Sequence, residues 1–336
     1  MIHRPVLTAD ADRNRRVLQE TLDTGAAGKL ELPPGRHPIA GGLRVPTGWT
    51  IRGSEVTGAN GGVPGTWLVS SGSTGQPVLH VLGSDVSVSD LGLCPSPADP
   101  GEHGGDRGTA ITVGEYLYAE SPQWQARIDV RRVHVSRPAD RGANCVAVMG
   151  AVRDVTLHDL TVRGGCTGVA VHWGAVGADV SSIVGPTYHP HGLSVTDLRV
   201  RDAIEGFYLS SVHDVRVSGA CLRDVEMGFR LLPGDNTDRF VAVPDIGARI
   251  DIADVCVRWT GPRYAVRVAG WGRSEVDGEV TVLRYADTVI RDCRLAGTGR
   301  ADAWSPIVVE RAAGVQLRGI RVDTATDDCC ALGARA

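Results

Sequence analysis

The eight-residue stretch VSVSDLGL, residues 86–93, decides the fold of this chain. Val86 and Val88 alternate with polar residues as a β-strand does. After a two-residue Ser-Asp break, Leu91 and Leu93 alternate in the same way. The stretch therefore predicts two short strands that are joined by a sharp bend.

The same phrase recurs along most of the sequence, with apolar residues at its first, third, sixth and eighth positions and usually Asp or Gly at its fifth. Its other copies are IDVRRVHV from Ile128, VTLHDLTV from Val155, LSVTDLRV from Leu193, VRVSGACL from Val215, IDIADVCV from Ile250, TVIRDCRL from Thr288 and VQLRGIRV from Val315. A third short apolar strand precedes most copies, at residues 111–113, 146–148, 169–171, 207–209, 229–231, 266–268 and 307–309. A three-strand repeat indicates a chain built from stacked coils.

These features favour parallel coils over a β-sandwich. The copies that begin at Leu193 and Val215 are separated by the shortest stretch of chain, and this stretch is just long enough for one coil of three short strands. A sandwich would need tight-turn signals such as Asn-Gly between successive strands, and these are missing between the strands of the repeat. We therefore expect short parallel strands stacked coil on coil.

The repeat resembles that of the pectin-lyase-like superfamily, which includes the pectate lyases and the polygalacturonase-like glycosidases. The resemblance covers residues 30–323 and implies an all-β fold, a single-stranded right-handed parallel β-helix with three short strands per coil and about ten coils. Residues 1–29 then form an N-terminal capping segment, in which apolar spacing predicts a helix within residues 10–24. Residues 324–336 show no strand pattern and form a C-terminal tail.

Composition excludes several kinds of partner. The 336 residues carry a formal net charge of −4, without the basic excess that drives non-specific nucleic-acid binding. No apolar run approaches the roughly 18 residues of a membrane span, and the first residues lack the apolar core of a signal peptide. We therefore expect a cytoplasmic protein that binds neither nucleic acid nor membrane, unless a signal peptide precedes this sequence.

The eight cysteines form no Cys-x-x-Cys pair and no zinc-type spacing with histidine. Scattered cysteines of a cytosolic protein usually pack as small apolar side chains, so we expect free thiols rather than disulfides. Lys29 is the only lysine, which leaves almost no means of forming a lysine Schiff base. We expect neither a metal nor an organic cofactor.

Long insertions between the third strand and the next phrase point to a functional corner. They span residues 114–127, 173–192, 232–249 and 269–287, whereas the intervening coils cross the same corner in a few residues. Repeat proteins commonly place such insertions on their binding face. Four loops at one corner therefore predict a binding groove, although loops that only cover an apolar flank would give the same pattern.

An outward row of side chains beside this corner supplies candidate residues. If the apolar residues of the third strands point inward, Tyr208, Arg230 and Arg267 occupy equivalent outward positions on successive coils, near His172. Arginine binds carboxylates and phosphates through paired charge-assisted hydrogen bonds, and these arginines show no obvious acidic partner on the strands. They therefore predict an anionic substrate, and arginines paired with loop carboxylates are the alternative.

The second long loop adds groups that can transfer protons. Tyr188, His189 and His191 follow His172 closely in sequence, and histidine has the side-chain pKa nearest neutrality. This cluster predicts an acid–base apparatus. Surface histidines without a chemical task would give the same sequence.

Loop carboxylates and aromatic rings complete the candidate set. Asp235 and Asp238 could supply an acid, a base or an orienting partner for a histidine. Rings suited to stacking on a sugar are Tyr116, Trp124, Trp173, Tyr188 and Trp271. Residues 236–238, Asn-Thr-Asp, match a polygalacturonase-like motif, but the Gly-His-Gly and Arg-Ile-Lys that follow it in that family are missing here, and the only paired aspartates, Asp327 and Asp328, lie in the C-terminal tail.

Together these residues predict an enzyme that binds an anionic, oxygen-rich metabolite or oligosaccharide and transfers protons. The expected reaction is an elimination, epimerisation, isomerisation or cyclisation in a biosynthetic pathway. The arginines would hold a carboxylate or enolate while His172, Tyr208 or His189 acts as base and acid. Two alternatives stay open: a polysaccharide lyase or glycoside hydrolase that acts on uronate-type sugars, and a non-catalytic carbohydrate-binding β-helix.

Overall fold

In a computed structural model of the chain, bends with left-handed backbone conformation divide it into coils. The structure describes residues 1–54, 63–71, 75–96, 108–137, 142–178, 183–233, 245–261, 264–270, 273–276, 279–297 and 305–324. The fifth residue of every phrase copy has a φ between 51° and 66°, and the residue before each copy has a φ between 48° and 72°. Glycine adopts such angles without strain and aspartate tolerates them, which explains the preference for Asp or Gly at the fifth position.

The bends wind the chain into a parallel β-helix with three stacks of strands. The first stack contains Ile2–His3, Gly28–Glu31, Trp49–Arg52, Val86–Cys94, Gln125–Arg137, Val152–His158, His191–Thr196, His213–Ser218, Asp245–Ala253, Arg284–Arg291 and Gln316–Arg318. The second stack contains Gly35–Ala40, Thr66–Ser71, Thr161–Gly164, Arg199–Arg201, Cys221–Val225, Cys256–Trp259, Arg294–Gly297 and Arg321–Thr324, together with the second halves of Val86–Cys94 and Gln125–Arg137. The third stack contains Leu43–Val45, Leu79–Val81, Ile111–Gly114, Val146–Met149, Thr167–His172, Glu205–Ser210, Met227–Leu232, Val266–Ala269 and Ile307–Glu310.

Strand register confirms the alignment of the phrase copies. Val86 lies opposite Ile128, Ile128 lies opposite Val155, and the later copies pair in the same phase. All of the short apolar strands that the sequence predicts before the phrase copies are present, and they form the third stack. The predicted single-stranded parallel β-helix of about ten coils is therefore confirmed.

One continuous apolar core runs through the coils. Val169, Phe207 and Phe229 lie opposite one another on neighbouring coils of the third stack and are at most 1% exposed. The two phenylalanine rings stack with their centroids 4.7 Å apart. Residues of equal phase thus pack on each other from coil to coil, which fixes the phase of the outward residues as well.

An N-terminal helix packs against the first coils. It spans Ala11–Leu22 and begins after Asp10, whose side chain accepts a hydrogen bond from the backbone N–H of Arg13. Its buried residues Leu18 and Leu22 join the core. Strand Ile2–His3 precedes the helix and pairs with the second strand of the first stack, so the expected capping segment also holds a strand of the β-helix. Within the described residues, no helix has the length and apolar character needed to cross a membrane.

Within the described residues, the first, second and fourth corner loops contain strands of their own. Leu117–Tyr118 pairs with Gly174–Gly177, which pairs in turn with Ile183–Tyr188, so the first two loops share a small sheet. The fourth loop contains a hairpin of Arg273–Val276 with Glu279–Val282. The Asp-Gly dipeptide between its strands is a hairpin signal in the sequence.

The cysteines correct one expectation. Cys221 and Cys256 are disulfide-bonded and lie directly opposite each other on neighbouring strands, contrary to the expectation of free thiols. Both occupy the seventh position of their phrases, which stacking places side by side at a separation that suits a disulfide. The free cysteines among the described residues include Cys94, Cys145, Cys166 and Cys293.

Candidate functional site

The outer face of the third stack carries one row of side chains, with one residue from each coil. Strand pairing aligns Arg44, His80, Thr112, Ala147, Ala170, Tyr208, Arg230, Arg267 and Val308. The order from His80 to Val308 is the outward row expected from the alternation of apolar residues. Its polar segment, from Tyr208 to Arg267, lies on three successive coils.

Tyr208 contacts two other predicted residues, His172 and Arg230. The rings of His172 and Tyr208 meet edge to face with their centroids 5.0 Å apart. The guanidinium of Arg230 lies over the Tyr208 ring, 4.1 Å from its centroid, in a cation–π geometry. The amide nitrogen of the buried Asn144 lies 3.5 Å from Nε2 of His172. An imidazole, a phenol and a guanidinium therefore share one surface.

Glu205 completes this group. Its carboxylate lies 2.8 Å from Nε of Arg230 and accepts a further hydrogen bond from the same guanidinium at 3.0 Å. The hydroxyl of Thr167 donates to it at 3.2 Å. The side chain of Glu205 is 4% exposed, and that of Arg230 is 30% exposed. Burial raises the pKa of the Glu205 carboxyl, and the charge and hydrogen bonds of Arg230 offset only part of this effect.

Glu205 was not predicted from the sequence, because it occupies a strand position whose side chain points toward the core. It begins its strand two residues before the buried Phe207, at a position that alternation assigns to the core. A carboxylate in that phase needs a charged or hydrogen-bonding partner, because an unpaired buried charge is strongly unfavourable. A glutamate among core positions is therefore the signal that identifies it.

Arg267 has partners of its own. Its guanidinium donates to Glu310 at 3.0 Å and lies 5.6 Å from the ring centroid of Tyr264. Arg230 and Arg267 therefore both pair with carboxylates on strands, which corrects the expectation that they lack such partners. The side chain of Arg267 is still 30% exposed.

The loop histidines contact a different set of residues. The rings of His189 and His213 stack with their centroids 5.8 Å apart, and the hydroxyl of Thr187 lies 3.2 Å from Nε2 of His189. Burial, together with a smaller effect of the neighbouring His213, lowers the pKa of His189 to about 3. His189 is therefore uncharged at neutral pH. His191 packs against Trp124 instead, with ring centroids 4.9 Å apart.

The loop aromatic residues divide into a packed pair and an open platform. Trp173 is 1% exposed and packs on Tyr116 at a centroid distance of 4.9 Å, so its ring supports the small loop sheet and is closed to a ligand. Trp124 is 39% exposed, and its ring meets Tyr188 as well as His191. Of the predicted stacking residues that the structure describes, Trp124 is thus the exposed one.

Three candidates, Asp235, Asp238 and Trp271, lie outside the described residues. Within the part of the chain that is described, no group of three or more His, Cys, Asp or Glu side chains could hold a metal ion. The structure therefore offers one polar centre on the third stack and one aromatic platform at the loop corner.

No protein-family model and no curated protein sequence matches this chain. Among solved structures it is similar to the polygalacturonase from Erwinia carotovora ssp. carotovora, with a TM-score of 0.50 and 10% identity, over 95% of this chain and 96% of that one. It is also similar to PfbA, a surface adhesin of Streptococcus pneumoniae, with a TM-score of 0.49 and 11% identity over 95% and 90% of the two chains. Tailspike protein 2 of bacteriophage CBA120 gives a TM-score of 0.48 and 14% identity over 91% of this chain, which spans only 40% of the tailspike chain. The first of these similarities supports the fold alone, a parallel β-helix.

Proposed function

We propose that this chain is a carbohydrate-active enzyme that transfers protons on a sugar bearing a carboxylate. The observation that carries the proposal is the contact of Tyr208 with both His172 and Arg230. An ionisable imidazole and a phenol beside a fixed cation are the groups needed to remove and return a proton next to an anion. The expected reactions are therefore epimerisation and elimination.

Arg230 binds the substrate carboxylate in this proposal. Glu205 and the Tyr208 ring fix its guanidinium, while part of the side chain faces solvent. A cation at the carboxylate stabilises the enolate that forms when the neighbouring carbon loses its proton. Because burial raises the pKa of Glu205, this carboxyl takes up a proton at higher pH than an exposed glutamate does, and the protonated carboxyl no longer neutralises the charge of Arg230.

His172 and Tyr208 exchange the proton. One of them removes the proton from the carbon next to the carboxylate. The other donates a proton to the leaving oxygen, which gives elimination. Epimerisation follows instead when the carbon takes up a proton from solvent on its opposite face. Asn144, beside Nε2 of His172, orients the imidazole for this step.

Hydrolysis fits this centre less well. A glycoside hydrolase needs two carboxyl groups flanking the bond that breaks. Two of the carboxyl groups that the structure describes beside this row, Glu205 and Glu310, form ion pairs with arginines. A non-catalytic carbohydrate-binding protein is the second candidate, favoured by the exposed Trp124 platform.

The cytoplasmic location stays a prediction, and the disulfide-bonded Cys221 and Cys256 weigh against it. Disulfides persist mainly in oxidising compartments outside the cytoplasm. A uronate-containing polysaccharide is the substrate class that fits both this setting and an arginine that binds carboxylate.

Deuterium exchange from solvent tests the proposal. The protein is incubated in D₂O with polymannuronate, polygalacturonate and their monomers. Nuclear magnetic resonance then follows deuterium at the carbon next to the carboxylate, and ultraviolet absorbance follows unsaturated products. We expect exchange or elimination by the wild type, and a rate lower by about 100-fold or more for Tyr208→Phe, which keeps the ring beneath Arg230.

Tyr264→Phe is the matched control, because Tyr264 contacts Arg267 much as Tyr208 contacts Arg230. It should keep the wild-type rate. A wild-type protein that binds neutral oligosaccharides but exchanges no proton with any uronate overturns the proposal and favours the binding protein. Equal rates for Tyr208→Phe and the wild type would remove Tyr208 from the mechanism.

A further inference from the structure

A second cationic surface lies on the second stack, on a different face of the β-helix from the candidate site. Its outward residues Arg163, Arg199, Arg201, Arg223 and Arg258 form what we call the arginine face. Strand pairing places all of these except Arg199 in one file, with one guanidinium group from each of four successive coils. Neighbouring strands lie about 4.8 Å apart, so the file extends over about 14 Å along the helix axis.

A groove of about 450 Å³ follows the arginine face. Arg163, Arg199, Arg201 and Arg223 line it, and Asp197 is the one carboxylate among its described lining residues. The side chains of Arg163, Arg199 and Arg201 are 64%, 59% and 60% exposed. A ligand in the groove can therefore reach these three guanidinium groups directly.

Aspartates at the edge of the file neutralise it only in part. Asp202 is shared by Arg163 and Arg201, at 3.4 and 3.6 Å. Asp224 is shared by Arg201 and Arg258, at 3.7 and 2.6 Å. Arg163, Arg201 and Arg258 thus share two carboxylates, which leaves one positive charge in excess among them. Arg199, beside the file, pairs with Asp159 at 3.0 Å. Exposed ion pairs of this kind are weak enough for another anion to replace. The file therefore keeps a net positive charge in a chain whose net charge is −4.

We propose that the arginine face binds a linear acidic polysaccharide laid along the helix axis. One guanidinium group per coil matches a polymer with one carboxylate per sugar, and the planar guanidinium binds carboxylates through paired hydrogen bonds. The described lining of the groove contains no aromatic ring on which nucleic-acid bases could stack. Because this face belongs to another stack than His172 and Tyr208, the proposal stands independently of the catalytic one.

Affinity electrophoresis of the full chain tests the proposal. Gels contain polygalacturonate, neutral dextran or double-stranded DNA, and the retardation of the protein gives the affinity. We expect retention by polygalacturonate that weakens with salt, and an affinity lower by roughly tenfold for Arg163→Gln/Arg201→Gln. Arg163→Lys/Arg201→Lys, which keeps the charge but loses the paired hydrogen bonds, should bind with intermediate affinity.

Arg131→Gln/Arg216→Gln removes the same charge from exposed positions of the first stack and is the matched control. It should bind within about twofold of the wild type. Circular dichroism and the melting temperature verify that each variant is folded. Three results would overturn the proposal: no retention of the wild type, equal retention of Arg163→Gln/Arg201→Gln, or stronger retention by DNA than by polygalacturonate.

Discussion

Residues with a left-handed backbone decide the path of this chain. They stand before each phrase and at its fifth position, in two columns that run from coil to coil. Arginine occupies some of these positions next to an aspartate of the neighbouring coil. Arg127 donates to both carboxylate oxygens of Asp85, at 2.6 and 2.7 Å, and Arg249 donates to both oxygens of Asp214, at 2.6 and 2.9 Å. The columns thus combine backbone conformation with pairing of opposite charges.

Asp254 tests the conformational part of this arrangement, because it is exposed and has a φ of 54°. Asp254→Val places a β-branched residue in a left-handed conformation and should lower the free energy of unfolding by about 1–2 kcal/mol. Asp254→Asn, which tolerates this conformation, should change it by only a few tenths of a kcal/mol. Urea unfolding measures both variants. Equal stability of the valine and asparagine variants would show that the bend does not constrain the fifth position.

Among the structural elements, the short corners after the third stack depend on tyrosines from the long loops. The backbone N–H of Ala151 donates to the hydroxyl of Tyr118 at 2.9 Å. The N–H of Ser211 donates to the hydroxyl of Tyr285 at 2.9 Å, and that hydroxyl donates to the carbonyl of Leu209 at 2.5 Å. Burial raises the pKa of both tyrosines, so the hydroxyls stay protonated. Long loops therefore stabilise the coils beside them, besides covering the corner.

Tyr285→Phe should lower the free energy of unfolding by about 1–3 kcal/mol, because two buried backbone groups lose a hydrogen-bond partner. Tyr264→Phe serves as the comparison, because the Tyr264 hydroxyl makes only a 3.5 Å contact with Arg267. This variant should lower the free energy of unfolding by less than Tyr285→Phe does. Thermal and chemical unfolding of the two variants measure the difference. A Tyr285→Phe protein as stable as the wild type would mean that the corner is held by packing alone.

For the whole molecule, periodicity was sufficient to predict the architecture, because alternation and bend recur in every copy of the phrase. The same alternation located Tyr208 and Arg230, whose positions follow from strand phase. It could not identify Glu205, because a strand-start residue in the inward phase looks like a core position. It could not predict the burial of Trp173 either, since that depends on a small sheet between segments from different coils. Alternation thus predicts what each coil repeats, whereas contacts between loops need the structure.

The disulfide-bonded Cys221 and Cys256 should contribute to global stability. A bond between them closes a loop of roughly 35 residues, and restricting the unfolded chain in this way is worth about 3–4 kcal/mol. The free energy of unfolding of the Cys221→Ala/Cys256→Ala variant should be lower by about this amount, and a phosphine reductant should destabilise the wild type similarly. Guanidinium unfolding with and without reductant provides the measurement. The double variant controls for other effects of the reductant, and a wild type insensitive to reduction would contradict the prediction.

The coil-by-coil register has a mechanical consequence. Apart from the strands at the ends, each strand of the three stacks pairs with the coil before it and the coil after it, so a force applied through the first and last strands acts on the end interfaces first. Under tension the molecule should lengthen in discrete steps as the end coils peel away singly. Peeling should halt at the coils that carry Cys221 and Cys256, because a covalent bond there prevents the chain between them from extending. The outer coils then yield to the load first, while the interior of the β-helix, where Tyr208 and Arg230 lie, keeps its shape.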